Sequence, residues 1–122
     1  MTGGPSADRK RRAYRLGHAA EWAAALWLMA HGYRLLARRY RTKLGEIDLI
    51  VKRGRTVAFI EVKARASLEA AEDAVTAAAE RRIRNAADIW LARHPAAQGL
   101  TFRFDFLLIA PWRLPKHVPN AF

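Results

Sequence analysis

Asp48, Glu61 and Lys63 are the residues whose types and spacing could do chemistry. They lie in two hydrophobic runs, Glu46 to Lys52 and Thr56 to Arg65, both rich in β-branched and aromatic residues. Acids are depleted in strands, and burying one is costly unless it is paired or bound to a metal. Gly54-Arg55 between the runs predicts a two-residue hairpin turn with glycine first. In that register Arg53 faces Thr56, Asp48 faces Glu61 and Glu46 faces Lys63. Opposed side chains on one sheet face have Cβ atoms about 4.5–5.5 Å apart, and like charges so placed repel. A divalent cation between them supplies the missing positive charge. Glu61 and Lys63 share a face because side chains alternate. The three therefore converge on one spot, with oxygen ligands suited to Mg²⁺ or Mn²⁺. An ordinary ladder of cross-strand salt bridges on a solvated face explains the same residues, and a one-residue change in the loop alters the pairing. Spacing alone leaves both readings open.

The elements that position these residues follow from the rest of the chain. Its 122 residues suit one domain, and 52% apolar content supplies a core. Residues 1–12 read as a flexible basic arm, and 13–122 as a single domain. Residues 13–31 carry Leu16, Ala20, Ala23, Trp27 and Ala30 at helical spacing. Tyr33 to Arg41 is a strand candidate, followed by the hairpin. A long helix is expected from about Glu69 to Arg93, ended by Pro95 and Gly99. Leu100 to Ile109 is a final strand, and residues 110–122, with three prolines, are expected to wrap the surface. The order α-β-β-β-α-β describes an α/β layer structure, a mixed sheet flanked by helices.

Composition narrows the functions. There is no cysteine, which excludes a disulfide scaffold and Cys-ligated zinc or iron–sulfur sites and fits a cytoplasmic protein. The longest uncharged apolar run, Trp22 to Ala30, is too short to span a bilayer. No signal peptide is expected. The net charge is +11, from 22 Lys and Arg against 11 Asp and Glu, which makes nucleic acid the first candidate partner. The charge is uneven: between Trp22 and Leu68 there are ten bases and three acids, and the acids are Glu46, Asp48 and Glu61. Arg38, Arg39, Arg41 and Lys43 precede the hairpin, Lys52, Arg53 and Arg55 sit at its turn, and Arg65 follows it. These are candidate phosphate contacts, which position a duplex without reading its sequence. The four histidines are scattered without metal-ligand spacing, the tryptophans read mainly as packing residues, and Asp105 and His117 read as structural.

Gly45-Glu46-Ile47-Asp48-Leu49-Ile50 with Phe59-Ile60-Glu61-Val62-Lys63 and Arg65 resembles the YraN family of bacterial proteins. That family is similar to the PD-(D/E)xK nucleases and, among them, to archaeal Holliday-junction resolvases with a restriction-endonuclease-like fold. The likeness runs along most of the chain: Gly17 and Glu21 on the first helix, Arg41-Thr42, Ala74-Val75-Thr76, Arg81-Arg82, Arg103-Phe104-Asp105 and Asn120-Ala121-Phe122. It implies that Asp48, Glu61 and Glu21 ligate Mg²⁺ or Mn²⁺, and that Lys63 orients the attacking water or stabilises charge on the phosphate. Lysine at that position carries weight in a chain with 17 Arg and 5 Lys, because arginine cannot act as a base. For Glu46 three readings stay open: a metal ligand, a partner of Lys63 or a cap at the strand edge. The resemblance also implies a DNA substrate, branched or structured, and admits a homodimer. Two departures stand out. Ala79-Glu80 replaces the usual Lys-Gln pair, and Leu68 to Ala71 replaces a Phe-Gly turn. They keep a non-catalytic nucleic-acid-binding module open as the alternative.

Overall fold

The computed structural model describes residues 5–121, with side chains from Gly17 onward. Helix α1 spans Pro5–Ala30 and is followed by strands β1 (Arg34–Arg41), β2 (Glu46–Arg53) and β3 (Thr56–Ala64). Helices α2 (Leu68–Asp73) and α3 (Ala77–Arg93) and a 3₁₀ turn (Pro95–Ala97) lead to strands β4 (Thr101–Ile109) and β5 (Lys116–Val118). The five strands form one mixed sheet in sequential order. All neighbouring pairs are antiparallel except β3 and β4, which are parallel and joined across α2 and α3. This is the mixed α/β layer arrangement expected from the order of elements. No helix among the described residues is long and apolar enough to cross a membrane.

Each face of the sheet buries its own core. Ala24, Ala25 and Leu28 of α1 pack on Leu49, Val51, Ala58, Ile60 and Leu107. On the other face, Ile83, Ala86, Ala87 and Trp90 of α3 cover Ile47, Ile50, Val57 and Phe59. Val57 and Phe59 thus face α3 while Ala58 and Ile60 face α1, the period-two alternation of a strand buried on both sides.

The expected two-residue turn forms. Gly54 takes φ +60 while Arg55 keeps an ordinary φ, which suits a glycine-first primed turn. From it the ladder runs Arg53↔Thr56 to Leu49↔Ile60 and stops there. The expected oppositions of Asp48 with Glu61 and of Glu46 with Lys63 are corrected: neither is a ladder pair, and Glu46 pairs across the other edge of β2 with Arg41.

Three further boundaries differ from expectation. The first helix starts at Pro5 rather than 13, proline being well suited to a first helical turn, so residues 5–12 of the expected arm are helical backbone. Residues 1–4 of that arm lie outside the described residues. The long helix is two helices. Thr76 breaks the alanine-rich run in extended backbone, and its hydroxyl accepts from Ala79 N at 3.1 Å to cap α3. The proline-rich tail contributes β5, which adds to β4 as an edge strand between Pro115 and Pro119.

The β1–β2 connection is wound around Thr42. Its hydroxyl donates to Gly45 O at 2.8 Å and accepts from Gly45 N at 3.0 Å and Leu44 N at 3.2 Å. Gly45 lies so close to α3 that a Cβ would overlap the carbonyl group of Arg82. Gly45→Ala is expected to lower stability by ~1–3 kcal/mol, since backbone has to move on both sides. Urea denaturation reads the change, and an unaltered midpoint would show that this contact is loose.

Candidate metal and nucleic-acid site

The β2–β3 ladder opens at Asp48 because the aspartate side chain replaces a backbone partner. Asp48 lies one residue beyond the last pair, and its Oδ2 accepts at 2.8 Å from Val62 N, two residues beyond that pair on β3. The carboxylate is thereby fixed in the fork between the diverging strands. Its carboxyl is pushed up to about 7, first by burial and next by the charge of Glu61. The Val62 amide works against this, and the charges of Glu21 and Glu46 add to the rise.

Glu61 and Lys63 form an ion pair across one turn of the pleat, Nζ to Oε1 3.0 Å, with both side chains largely buried. Strand alternation places them on the sheet face of Phe59, whereas Val62 and Ala64 continue the face of Ile60. Glu21 comes from α1 on that second face and lines a cleft of ≈ 350 Å³ with Gly17, Ala20, Asp48, Val62, Ala64 and Arg65. Asp48 is thus the carboxylate that both sides share. Glu46 is exposed and lies 3.9 Å from Arg41 Nε.

As they stand, no three of these carboxylates close into a metal-holding group among the described residues. The chain's own cations occupy them instead: Lys63 sits on Glu61, and Arg39 Nε lies 3.5 Å from Glu21 Oε1. That second contact is too long for a hydrogen bond. Among the described residues, two buried side-chain atoms lack a hydrogen-bond partner, Glu21 Oε1 and Arg38 Nη1. The Arg38 guanidinium stacks at 4.4 Å on Trp22, the residue that follows Glu21. Of the two atoms, one is an acceptor suited to a cation, the other a donor suited to an anion. The all-oxygen donor set, an unsatisfied buried carboxylate oxygen and a carboxyl raised by its neighbours' charge all fit a hard divalent ion.

Arg39 reaches the same place by an unusual route. It sits in β1 with φ 56, in the left-handed region, and its Nη1 contacts His18 Nδ1 at 3.1 Å and also Nε2. Strained backbone at a non-glycine residue is concentrated at functional sites. His18 was invisible in its scattered setting; its one signal is the i, i+3 spacing to Glu21, which puts both on one helix face.

Gly17 lies one turn before Glu21, and a Cβ there would meet nothing within 4 Å. Packing therefore gives no reason for glycine inside this helix, where it costs about 1 kcal/mol relative to alanine. Its effect is to keep the approach to Glu21 open. Gly17→Ala is expected to raise stability by ~0.5–1 kcal/mol, read as a small upward shift in the thermal midpoint. A loss of stability would contradict the open space.

The predicted phosphate contacts divide into two groups. Arg38, Arg39, Arg41, Lys43 and Arg65 lie around the fork, with Arg41, Lys43 and Arg65 exposed. Lys52, Arg53 and Arg55 lie at the turn, four to seven positions away, about 13 Å or more from Asp48 at ~3.3 Å per residue. There Arg53 covers the Tyr33 ring at 4.4 Å and donates to His31 O at 3.2 Å, and Arg55 donates to Gly99 O at 3.3 Å. Of the replaced polar pair, Ala79 is buried on the inner face of α3 and Glu80 pairs with Arg84 at 3.2 Å. Trp112 is exposed, and Trp22 is partly exposed beneath Arg38. A larger cleft of ≈ 560 Å³ shares Ala20, Ala64 and Arg65 with the fork, but alanines and Ile109 dominate it and it offers no chemistry.

The model of the uncharacterised protein family UPF0102 matches residues 20–109, which include the whole fork. A UPF0102 protein of Mesorhizobium japonicum is 57% identical over 118 residues, covering 97% of this chain and 94% of the relative. One of Rhizobium meliloti is 55% identical over 114 residues, 93% of each chain. One of Methylorubrum extorquens is 54% identical over 121 residues, 97% of this chain and 94% of the relative. The chain belongs to the UPF0102 family, the YraN family whose motifs it carries.

Proposed function

We propose that this chain is a divalent-metal-dependent endonuclease of the PD-(D/E)xK type, acting in the cytoplasm on phosphodiester bonds of branched or structured DNA. The observation that carries this reading is the crowding of acids around Asp48 at the fork. Asp48 is held by Val62 N at 2.8 Å with its carboxyl raised to about 7, beside a Glu21 oxygen that is buried without a hydrogen bond. Gathering this many carboxylates at one half-buried place costs stability, and a bound cation would offset that cost.

In this reading Asp48, Glu61 and Glu21 hold Mg²⁺ or Mn²⁺. When bound, the ion supplies Lewis-acid activation of the phosphodiester and of the attacking water. Lys63 leaves Glu61 and turns its ammonium to the phosphate, where it stabilises the negative charge that builds during displacement. Arg38 offers its unused Nη1 donor to a phosphate oxygen. Arg41, Lys43 and Arg65 hold flanking phosphates, which favours recognition by backbone shape.

The test is nicking of end-labelled branched and linear DNA with Mg²⁺ or Mn²⁺. Wild type is expected to cut only with the ion present, and Asp48→Ala and Lys63→Ala to leave the substrate intact. Cleavage by both variants at the wild-type rate rejects the assignment.

A second reading, a binding module without turnover, is favoured by the Lys63–Glu61 pair at 3.0 Å and by the absence of a closed three-carboxylate group among the described residues. It predicts salt-sensitive DNA binding with no metal-dependent product. Cleavage abolished by Glu61→Ala eliminates it.

A further inference from the structure

The turn end of the hairpin carries a second cleft, remote from Asp48. It encloses ≈ 370 Å³ and is bordered by β1, the hairpin and the C-terminal end of α3. On one wall stand Arg34 and Lys52, direct cross-strand partners. Like charges in that position are separated by about 5 Å and repel. Neither has an ion pair among the described residues. An anion seated between them relieves the repulsion.

The opposite wall is aromatic. The exposed His94 ring stacks on Trp90, centroids 4.1 Å apart and planes at 15°. Its Nδ1 is tied to Trp90 O at 2.7 Å, which holds the ring in place. The lining between the walls is apolar: Leu36, Val57 and Leu100. A volume of this size, apolar in the middle with a few placed polar groups, suits a small organic ligand. The complementary shape is a flat ring carrying an anionic group on one side. A duplex hides the faces of its bases, so within a DNA substrate an unpaired nucleotide offers that shape, its base stacking on an aromatic side chain and its phosphate meeting the basic side chains.

We propose that this cleft binds one nucleotide of a single-stranded DNA segment, with the base on His94 and the phosphate between Arg34 and Lys52. This rests on the reading of the chain as a DNA-acting protein and deepens it, because the substrate then carries an unpaired arm beside the bond that is cut. Lys52 is four strand positions from Asp48, about 13 Å, or about four stacked nucleotides at 3.4 Å each. Edge strand β1 runs between the two places, with Arg34 at one end and Arg38, Arg39 and Arg41 at the other.

The test is fluorescence anisotropy with a labelled oligothymidine and a labelled blunt duplex, at low salt with chelator. The Arg34→Gln, Lys52→Gln double variant is expected to lose about tenfold in single-strand affinity and under threefold for the duplex. Arg113→Gln with Lys116→Gln, which removes the same charge elsewhere, is expected to lose about equally little for both probes. His94→Ala is expected to lose about fivefold or more on the single strand, and His94→Phe to recover most of it. Equal losses in the two charge-matched double variants, or no effect of His94→Ala in a folded protein, overturn the proposal. The nicking assay separates the two ideas. An intact cleft without metal-dependent nicking defeats the nuclease reading alone, and unchanged single-strand binding with active nicking defeats the cleft alone.

Discussion

Asp105→Asn is expected to remove about 3–5 kcal/mol of stability and to lower the thermal midpoint by about 10–20 °C. Asp105 is fully buried in β4, and every lone pair is in use. Arg103 Nε donates to its two oxygens at 2.9 and 3.0 Å, and Arg103 Nη2 donates to Oδ2 at 2.8 Å. Asn120 N reaches Oδ1 at 2.9 Å, and His117 Nε2 reaches Oδ2 at 2.7 Å. A carboxylate has no proton to give, so His117 must donate from Nε2. Arg103 carries the network onward to Tyr33 Oη at 2.6 Å, which joins the end of α1 to the sheet and to the C-terminal tail. An asparagine amide turns one acceptor into a donor that faces other donors, and leaves the Arg103 charge uncompensated.

The pH dependence of that loss has a definite sign. His117, Arg103 and the Asn120 amide outweigh burial and hold the Asp105 carboxyl below its usual range. A group with a depressed folded pKa contributes stability above its unfolded value, near 4, and loses it as pH falls through the folded value. The gap between wild type and Asp105→Asn should therefore be large at neutral pH and narrow as pH falls below about 4. Denaturant titrations across that range test it. A gap under about 1 kcal/mol at pH 7 would mean that the network contributes little beyond its neighbours' packing.

How far the sequence could be read depended on whether a feature was local. The hairpin was legible because Gly54 dictates the turn and alternating residues on both sides then set the register. The end of the ladder was not. Periodicity counts Asp48 as one more strand residue, whereas its side chain takes the Val62 amide and forces the strands apart. The helix break was hidden by alanine, which favours helix on both sides of Thr76; only the capping hydroxyl marks it. Strand β5 was obscured by its flanking prolines, though an edge strand tolerates them. Glu21 looked like any solvated helix glutamate, and only resemblance singled it out. The cleft of Arg34 and His94 brings together residues sixty positions apart, beyond the reach of local patterns.

Asp48→Asn is expected to stabilise the metal-free protein at pH 8, by on the order of 2–4 kcal/mol, or about 10 °C in the thermal midpoint. The folded carboxyl titrates at about 7 against a usual value of 3.8. Between those values the folded chain binds a proton that the unfolded chain has released. Stability therefore falls as pH rises from about 4 to about 7, and stays low above that. The asparagine carbonyl can still accept from Val62 N, so the fork keeps its geometry while the charge is removed. The advantage of the variant should shrink toward zero near pH 4–5, where Asp48 is protonated in the wild type. Mg²⁺ or Mn²⁺ should cancel most of the difference at pH 8. At about a hundredfold excess over its dissociation constant an ion stabilises a folded site by ~2.7 kcal/mol, and Asp48→Asn should show little of this. Thermal melts at pH 5 and pH 8, each with chelator and with Mn²⁺, contain the whole test. Equal midpoints for the two proteins at pH 8 in chelator would show that Lys63 and Arg39 already neutralise the fork. The carboxylates would then be a closed salt-bridge network. A gain on charge removal, cancelled by the cation, identifies instead a fold that keeps a destabilising charge for a positive ion to meet.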